Sequence, residues 1–215
     1  MRIAVLVSGR GTNLQAIIDA IESKKLNAEI GIVISDKEKA LALERCKRHN
    51  IKHKVIKPSD FVNRESFEEA LVESLVLEGI NLVVLAGFMR VLGEKFVEAF
   101  NLRAINIHPA ITPAFAGIKA QKKAIEFGAL ISGCSVHFVS KEVDMGPVIV
   151  QACVPIEPSD CEESLSEKIL KLEHRCLLQA ISWILANRVK VVGRKVLVEG
   201  AKYGTLPVNP ALEEF

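Results

Sequence analysis

The sequence predicts an α/β protein: a three-layer, doubly wound, mostly parallel sheet with an antiparallel part toward the C-terminal half and a C-terminal hairpin. In the first half of the chain, short apolar runs rich in branched residues alternate with segments of helical spacing, which is the pattern of parallel strands covered by helices. Two runs of alternating polarity follow, and they favour antiparallel pairing. Two last short runs are joined by Gly193-Arg194, which indicates a closing hairpin.

Composition limits the class of protein. The 215 residues are 49% hydrophobic and 25% charged, and no linker or repeat interrupts them, so we expect a single domain over 1–215. The net charge of +2 gives no footprint for nucleic acid, and no apolar run is long enough to span a membrane. The first apolar run is too short for a secretory signal, and five scattered cysteines indicate reduced thiols rather than disulfides or a zinc site. We therefore expect a cytoplasmic protein.

The chain opens with a strand, a glycine-rich turn and a helix. Ile3–Val7 is predicted as a buried strand, Ser8–Asn13 as the turn, and Leu14–Ile21 as a helix with Thr12 or Asn13 as its N-cap. The N–H groups at such a helix start bind anions, and glycine lets a phosphate approach. The third glycine of the dinucleotide fingerprint and the Gly-Lys-Ser/Thr of a nucleotide loop are missing. Because two glycines and a hydroxyl lie together after the first strand, we expect the turn to bind a phosphate monoester. An ordinary turn is the alternative.

The alternation of strands and helices continues through the first half. Strands are predicted at 30–34, 54–56 and 82–86, and helices at 40–49 and 65–77. We expect Ser35-Asp36 to cap the first of these helices. Arg64 lies just before the second helix, where a solvated charge or an ion pair is the simplest interpretation.

The strand at 82–86 is the most apolar, and we expect it in the middle of the sheet, with its carboxyl end at the ligand crevice. Phe88, Met89, Val91 and Leu92 follow it directly. These side chains either line a flat apolar pocket or belong to the core, and their pattern favours neither.

The stretch Ala104–Pro109 carries the candidate chemistry. It is predicted as a short strand that ends at the proline, and Asn106 and His108 lie two apart and so share one face. His108 can exchange a proton near neutral pH, and the Asn106 amide can donate to a developing oxyanion. Asp144, from a later loop, could hold the imidazole ring and raise its pKa. From spacing alone, a capping asparagine, a buried structural histidine and a turn aspartate are the favoured interpretation.

The second half contains a loop at 110–117 and then more regular elements. A helix is predicted at 120–127 with Gly128 as its stop, and an antiparallel pair at 134–139 and 148–154, with Asp144 in the connecting loop. His137 on the first of these strands is expected near the site, with a structural hydrogen bond. A long helix at 164–183 is expected to open with Ser164 and Glu167 as a capping box. The hairpin at 189–192 and 195–198 and a tail from 204 to 215 complete the chain.

Five motifs, in order along nearly the whole chain, resemble the folate-dependent formyltransferases. They are Ser8–Asn13, Leu85–Arg90, Asn106–Pro109, Gly133–Phe138 and Asp144–Pro147. The Asn-x-His-Pro and Asp-x-Gly patterns are shared by that superfamily, whereas the Ser-Gly-x-Gly-Thr/Ser-Asn turn is typical of the branch whose acceptor is a sugar phosphate. The resemblance implies a Rossmann-like formyltransferase fold.

The resemblance also implies an activity. The formyl group of 10-formyltetrahydrofolate, a co-substrate, would be transferred to the amino group of glycinamide ribonucleotide in the third step of purine synthesis, with no metal and no covalent enzyme intermediate. The implied catalytic residues are Asn106, His108 and Asp144. The implied acceptor-binding residues are Gly11, Thr12, Asn13 and Glu173. The implied folate-binding residues are Arg64, Met89, Arg90, Val91, Leu92 and Asn106. Residues 1–100 would form the acceptor-phosphate half and 101–215 the catalytic and folate half, in a monomer or homodimer.

The chain departs from the family pattern at several positions outside the three catalytic ones, so we expect activity to survive with altered affinities. The departures are Ala110, Ile111, Thr112, Lys119, Lys141, Leu170 and Lys171.

Three alternatives remain open. A formyltransferase for another amine, such as initiator methionyl-tRNA, would be expected to add a basic C-terminal domain, and a formyltetrahydrofolate hydrolase would be expected to add an N-terminal one. The sequence starts its catalytic pattern at Met1 and stops at Phe215 with an acidic end. A phosphate-binding module without activity would be expected to lose Asn106, His108 or Asp144, and all three are present.

Overall fold

A computed structural model describes residues 1–213, so the last two residues of the predicted tail, Glu214 and Phe215, lie outside the described residues. The chain divides into two compact units, one from Met1 to Asn106 and one from Ile107 onward. Whether both act as the single domain expected from the sequence stays a prediction.

The first unit is built on parallel strands in the order β3-β2-β1-β4-β5, and the second unit begins within β5, at Ile107. Their bounds are β1 Arg2–Val7, β2 Glu29–Ser35, β3 His53–Val55, β4 Leu82–Leu85 and β5 Ala104–His108. Residues Ile3–Val7 are fully buried because helices leave no face of a central parallel strand to solvent. The predicted strands are confirmed, and β4 lies between β1 and β5 as expected.

Four helices belong to the first unit: α1 Thr12–Glu22, α2 Leu41–Arg48, α3 Arg64–Leu77 and α4 Glu94–Ala99. A short 3-10 helix at Pro58–Asp60 precedes α3. The helix α4 was not predicted, because its six residues are too few to show a helical period and only Phe96 among them is buried.

Two predicted helix caps in this unit are wrong. The N-cap of α1 is Gly11, which adopts a left-handed φ of 70° and makes no side-chain cap, rather than Thr12 or Asn13. The N-cap of α2 is Ala40. Ser35 instead accepts a hydrogen bond from the Lys37 N–H at 3.1 Å, so its hydroxyl is occupied before the helix begins.

The second unit contains a mixed set of strands in the order β6-β7-β9-β8, with β10 also on β7. Their bounds are β6 Ile131–Phe138, β7 Val148–Pro155, β8 Val189–Val192, β9 Lys195–Val198 and β10 Val208–Asn209. The pairs β6–β7 and β8–β9 are antiparallel, and β7–β9 is parallel. The predicted mostly parallel α/β sheet with antiparallel strands toward the C-terminal end is therefore confirmed. The strand β10 was missed, because two residues between prolines carry no period.

Two helices complete the second unit: α5 Ala120–Phe127 and α6 Glu162–Leu185. The prediction for α5 is confirmed, with Gly128 as its C-cap at φ 76°. The predicted start of α6 is wrong: the helix begins two residues earlier, with Cys161 as N-cap and Ser164 at its third position. Ser164 accepts a hydrogen bond from the Cys161 N–H at 3.1 Å, and Glu167 takes no part in this box.

The long helix α6 packs on β6 and β7, with Trp183 fully enclosed. Within residues 1–213, no helix has both the length and the apolar character needed to cross a membrane.

Candidate active site

His108 is the last residue of β5 and is 5% exposed. Pro109 follows it and has no N–H for a strand ladder, so the chain leaves the sheet at this point. The ring nitrogen Nδ1 lies 3.3 Å from Asp144 Oδ2, and Nε2 donates to the carbonyl oxygen of Phe115 at 3.0 Å. Both ring nitrogens therefore face oxygen acceptors, and both can donate only when the ring is an imidazolium.

Asp144 lies in the loop between β6 and β7, with a left-handed φ of 55°. Its Oδ2 accepts the N–H of Gly117 at 2.8 Å in addition to facing His108. Its Oδ1 lies 3.6 Å from His137 Nε2, and His137 Nδ1 contacts the Phe138 carbonyl at 2.9 Å. The expected structural hydrogen bond of His137 is present, and the same residue also borders the candidate carboxylate.

Burial lowers the pKa of His108, whereas the Asp144 carboxylate and the Phe115 carbonyl act in the opposite direction. As expected, the Asp144 carboxylate acts to raise the pKa of His108. Burial has the larger effect, because an enclosed site disfavours the charged ring, so the pKa of His108 is lowered overall. For Asp144, burial raises the pKa, and hydrogen bonds from His137 and the Gly117 N–H outweigh it, so the pKa is lowered. Asp144 is therefore a carboxylate at neutral pH.

Asn106 precedes His108 by two residues on β5 and pairs in register with Leu85 of β4. It is half-buried, and the alternation of a strand directs it to the face that His108 shares. An amide at this place has donors suited to an oxyanion.

The loop after His108 is held by a buried hydroxyl on β6. Ser135 Oγ donates to the Ala110 carbonyl at 2.8 Å and accepts the Thr112 N–H at 3.0 Å. Gln151 on β7 adds a bond to the Thr112 carbonyl at 2.9 Å. Ala110 is one of the departures from the family pattern. It does not disturb these contacts, because all of them use backbone atoms of the loop.

In the first unit, the glycine-rich turn forms the start of α1. Gly11 packs against α2 so closely that a Cβ there would lie 2.6 Å from the Ala42 Cβ. Arg45 of α2 donates to the Arg10 carbonyl at 3.0 Å. Thr12 is half-buried and Asn13 is buried in the first turn of the helix. Backbone N–H groups at a helix start favour an anion, and the phosphate site expected here stays a prediction.

The segment after β4 divides into two kinds of apolar side chain. Phe88 and Leu92 are buried at 7% and 4% exposure, whereas Met89 and Val91 are 58% and 52% exposed. The core interpretation thus holds for Phe88 and Leu92, whereas the pocket interpretation of Met89 and Val91 stays a prediction. Met89 and Val91 are therefore exposed apolar side chains that neighbour buried ones in the sequence.

This segment is fixed by side chains of neighbouring elements. The buried Ser8 hydroxyl accepts the Met89 N–H at 2.8 Å. Arg90 Nε lies 2.7 Å from Oδ2 of Asp36, a fully buried side chain at the end of β2. Asp36 was predicted as a helix cap, so its pairing with Arg90 corrects that expectation.

Arg64 is the first residue of α3, and Asn63 caps the helix by accepting the Ser66 N–H at 2.9 Å. Arg64 Nε forms an ion pair with Glu68 at 2.7 Å, and the same carboxylate oxygen accepts the Gly93 N–H at 2.7 Å. The ion pair was one of the two interpretations given for Arg64. Glu68 itself was missed, although an acid four residues after an arginine on a helix is a recognisable signal.

Glu173 is buried on α6, one face of which covers β6 and β7. Within residues 1–213, no group of three or more histidine, cysteine, aspartate or glutamate side chains is arranged so that it could hold a metal ion.

The chain is similar to named proteins over most of its length. Residues 1–181 match the family model described as formyl transferase. Phosphoribosylglycinamide formyltransferase of Escherichia coli (strain K12) is 38% identical over 202 residues, which cover 94% of this chain and 95% of that protein. The trifunctional purine biosynthetic protein adenosine-3 of Drosophila melanogaster is 43% identical over 197 residues, which cover 91% of this chain and only 14% of that protein.

A solved structure shows the same fold. The crystal structure of glycinamide ribonucleotide transformylase 1 from Symbiobacterium toebii matches with a TM-score of 0.90 and 42% identity, over 92% of this chain and 93% of that one. The chain thus spans a small part of the trifunctional insect relative and nearly all of the bacterial ones.

Proposed function

The chain belongs to the formyl transferase family, and we propose that it transfers the formyl group of 10-formyltetrahydrofolate to the amino group of glycinamide ribonucleotide, in de novo purine biosynthesis. The products are formylglycinamide ribonucleotide and tetrahydrofolate. The names of the bacterial relatives support this acceptor, since those proteins match the chain over nearly their whole length.

One observation carries the proposal: the 3.3 Å approach of His108 Nδ1 to the Asp144 carboxylate at the end of β5. A histidine whose ring is oriented by a carboxylate is a proton-transfer device suited to acyl chemistry. Formyl transfer to an amine needs such a device, because the amine must lose a proton and the departing nitrogen must gain one.

The reaction begins when the neutral amine of the acceptor attacks the formyl carbon and a tetrahedral intermediate forms. The carbonyl oxygen becomes an oxyanion, and the Asn106 amide donates to it. His108 takes the proton that the attacking nitrogen releases. Asp144 then stabilises the imidazolium. The ring returns this proton to the folate nitrogen as the bond from that nitrogen to the formyl carbon breaks. One oxyanion donor contributes about 10²–10³ in rate and one positioned acid or base about 10²–10⁴.

The Phe115 carbonyl occupies the ring nitrogen of His108 that does not face Asp144. A substrate atom that exchanges a proton with this nitrogen takes the place of the carbonyl. We infer that the 110–117 loop yields this contact when substrate binds.

Binding of the two substrates is assigned by analogy with the family and by local geometry. Backbone N–H groups at Gly11, Thr12 and Asn13 hold the acceptor phosphate, because a helix start favours an anion. Glu173 contacts the rest of the acceptor. The donor is held by Arg64, by the exposed side chains of Met89 and Val91, and by Arg90, Leu92 and Asn106.

The test is an assay of purified protein with 10-formyltetrahydrofolate, with and without glycinamide ribonucleotide. We expect tetrahydrofolate to form only when the acceptor is present, with one formylglycinamide ribonucleotide per tetrahydrofolate. Release of free formate without acceptor would identify a hydrolase instead. Transfer to another amine but not to glycinamide ribonucleotide would overturn the acceptor.

A further inference from the structure

We propose that Glu68 is a positioning residue for the formyl donor: its single buried carboxylate fixes both the Arg64 guanidinium and the end of the Met89–Leu92 segment. This inference rests on the proposed function, in which both of these groups contact the folate. Glu68 lies outside the motifs that carry the family resemblance.

The geometry that supports this role joins three parts of the first unit. Glu68 Oε1 accepts from Arg64 Nε at 2.7 Å, one helical turn earlier on α3. The same oxygen accepts the N–H of Gly93, the N-cap of α4, at 2.7 Å. One oxygen atom therefore sets the distance between the first turn of α3 and the segment that precedes α4.

The burial of the carboxylate makes this contact specific. The Glu68 side chain is 5% exposed, whereas that of Arg64 is 51% exposed. A buried carboxylate must be paired with donors, and here it has one charged and one backbone donor. Exposed ion pairs usually contribute little to stability, but this pair joins the exposed Arg64 cation to the fixed, buried Glu68 carboxylate.

Gly93 shows how closely these groups approach. A Cβ at this position would lie 2.9 Å from Arg64 Nη2 and 2.9 Å from Glu68 Oε2. Its backbone is extended, with φ −93° and ψ −165°, so glycine is needed for space rather than for conformation. The chain thus uses its smallest residue where the carboxylate and the guanidinium meet the segment.

The consequence for binding is preorganisation of the cation. Among the residues that the structure describes, only Glu68 bonds the Arg64 guanidinium, and it uses Nε, which leaves the Nη groups for an anion. A held guanidinium loses less side-chain freedom when it binds a ligand carboxylate. The donor is an anion through its glutamate portion, so this effect falls on donor affinity.

The experiment compares Glu68→Gln with wild-type protein in the formyl transfer assay. Glutamine keeps an oxygen for the Gly93 N–H and removes the charge that holds Arg64. We expect KM for 10-formyltetrahydrofolate to rise about three- to ten-fold, with kcat and KM for glycinamide ribonucleotide nearly unchanged. Glu69→Gln is the matched control, since Glu69 is its exposed neighbour on α3 and pairs with Lys95. We expect no change in KM for that variant.

A double-mutant cycle with Arg64→Ala separates positioning from a general loss of structure. If Glu68 acts through Arg64, Glu68→Gln adds little to the KM of an Arg64→Ala protein. Arg64→Lys is a second variant that leaves the buried carboxylate in place. It keeps the charge but not the Nε geometry, and we expect a similar rise in KM.

Three results would overturn the inference. The first is a KM for Glu68→Gln equal to that of Glu69→Gln. The second is a KM for Glu68→Gln below that of wild-type protein, which would mean that Glu68 competes with the donor for Arg64. The third is fully additive effects in the double-mutant cycle. A wild-type protein without formyl transfer would instead refute the proposed function, so the two failures are distinguishable.

Discussion

At the scale of single residues, the site depends on one buried imidazole with acceptors at both ring nitrogens. His108 faces Asp144 at 3.3 Å and the Phe115 carbonyl at 3.0 Å. Burial favours the neutral ring, and these two acceptors favour the charged one. A ring balanced in this way can gain and lose a proton within one catalytic cycle.

Replacement of His108 by alanine is expected to lower kcat by about 10²–10⁴, because the positioned proton acceptor is lost. The fold is expected to remain, which circular dichroism and urea unfolding can check. His53→Ala is the control, since His53 is an exposed histidine on β3. A His108→Ala enzyme with wild-type kcat would refute the role of this residue.

Replacement of Asp144 by asparagine is expected to lower the pKa of His108, because the carboxylate is the charge that favours the imidazolium. NMR titration of the ring carbon of His108 measures this directly. An unchanged or raised pKa would mean that Asp144 does not act on the ring through its charge.

The sequence predicted this pair of residues but not their full surroundings. The spacing of Asn106 and His108 on a strand was enough to place both on one face. The Gly117 N–H and the Phe115 carbonyl could not be foreseen, because both are backbone groups of an irregular loop. Glu68 and Asp36 were missed as partners of Arg64 and Arg90, since a charge on a surface pattern does not reveal that its carboxylate is buried.

At the scale of elements, long periodic segments were predicted well and short ones poorly. The helix α5 was predicted with its bounds and stop, because Gly128 has the left-handed conformation that a C-cap needs. The helix α4 and the strand β10 were missed, since six and two residues show no period. The start of α6 was misplaced because Ser164, a typical N-cap residue, acts here from the third helical position.

Gly11 is expected to be the more costly of two left-handed glycines to replace. Both Gly11 and Gly128 have φ near 70–76°, and alanine there costs about 1–2 kcal/mol. At Gly11 the new Cβ would also meet the Ala42 Cβ at 2.6 Å and its Cα at 2.9 Å, while nothing lies within 4 Å at Gly128. Overpacking adds about 1–3 kcal/mol, so urea unfolding should show a larger loss for Gly11→Ala than for Gly128→Ala. Equal losses would contradict the close packing of α1 on α2.

The start of α6 is expected to contribute a pH-dependent part of stability. Hydrogen bonds from Lys168, the Glu157 N–H and Ser164 lower the pKa of Asp160 to about 2, from an ordinary 3.8. Because the folded pKa is the lower one, the folded state binds fewer protons than the unfolded state between these values. The contribution is therefore present above about pH 4 and is lost as pH falls toward about 2.

Urea unfolding of wild-type and Asp160→Asn protein tests this. The difference in free energy of unfolding between the two is expected to be constant at neutral pH and to shrink in the acid range. A difference that stays the same from neutral to acid pH would mean that the charge of Asp160 does not contribute.

At the scale of the whole molecule, the chain combines elements that a formyl transfer needs. The first unit holds the turn proposed to bind the acceptor phosphate and the exposed side chains of Met89 and Val91, and the second holds the buried His108–Asp144 pair. The chain belongs to the formyl transferase family and covers 95% of the Escherichia coli phosphoribosylglycinamide formyltransferase. The proposed transfer requires the formyl group to lie beside His108 when both substrates are bound.

A crystal structure with glycinamide ribonucleotide and a non-transferable formylfolate analogue tests most directly where the formyl group lies. We expect the formyl carbon beside His108, with its oxygen within about 3 Å of the Asn106 amide, and the acceptor phosphate at Gly11–Asn13. A formyl group bound away from His108, in an enzyme that still transfers it, would contradict the role proposed for His108.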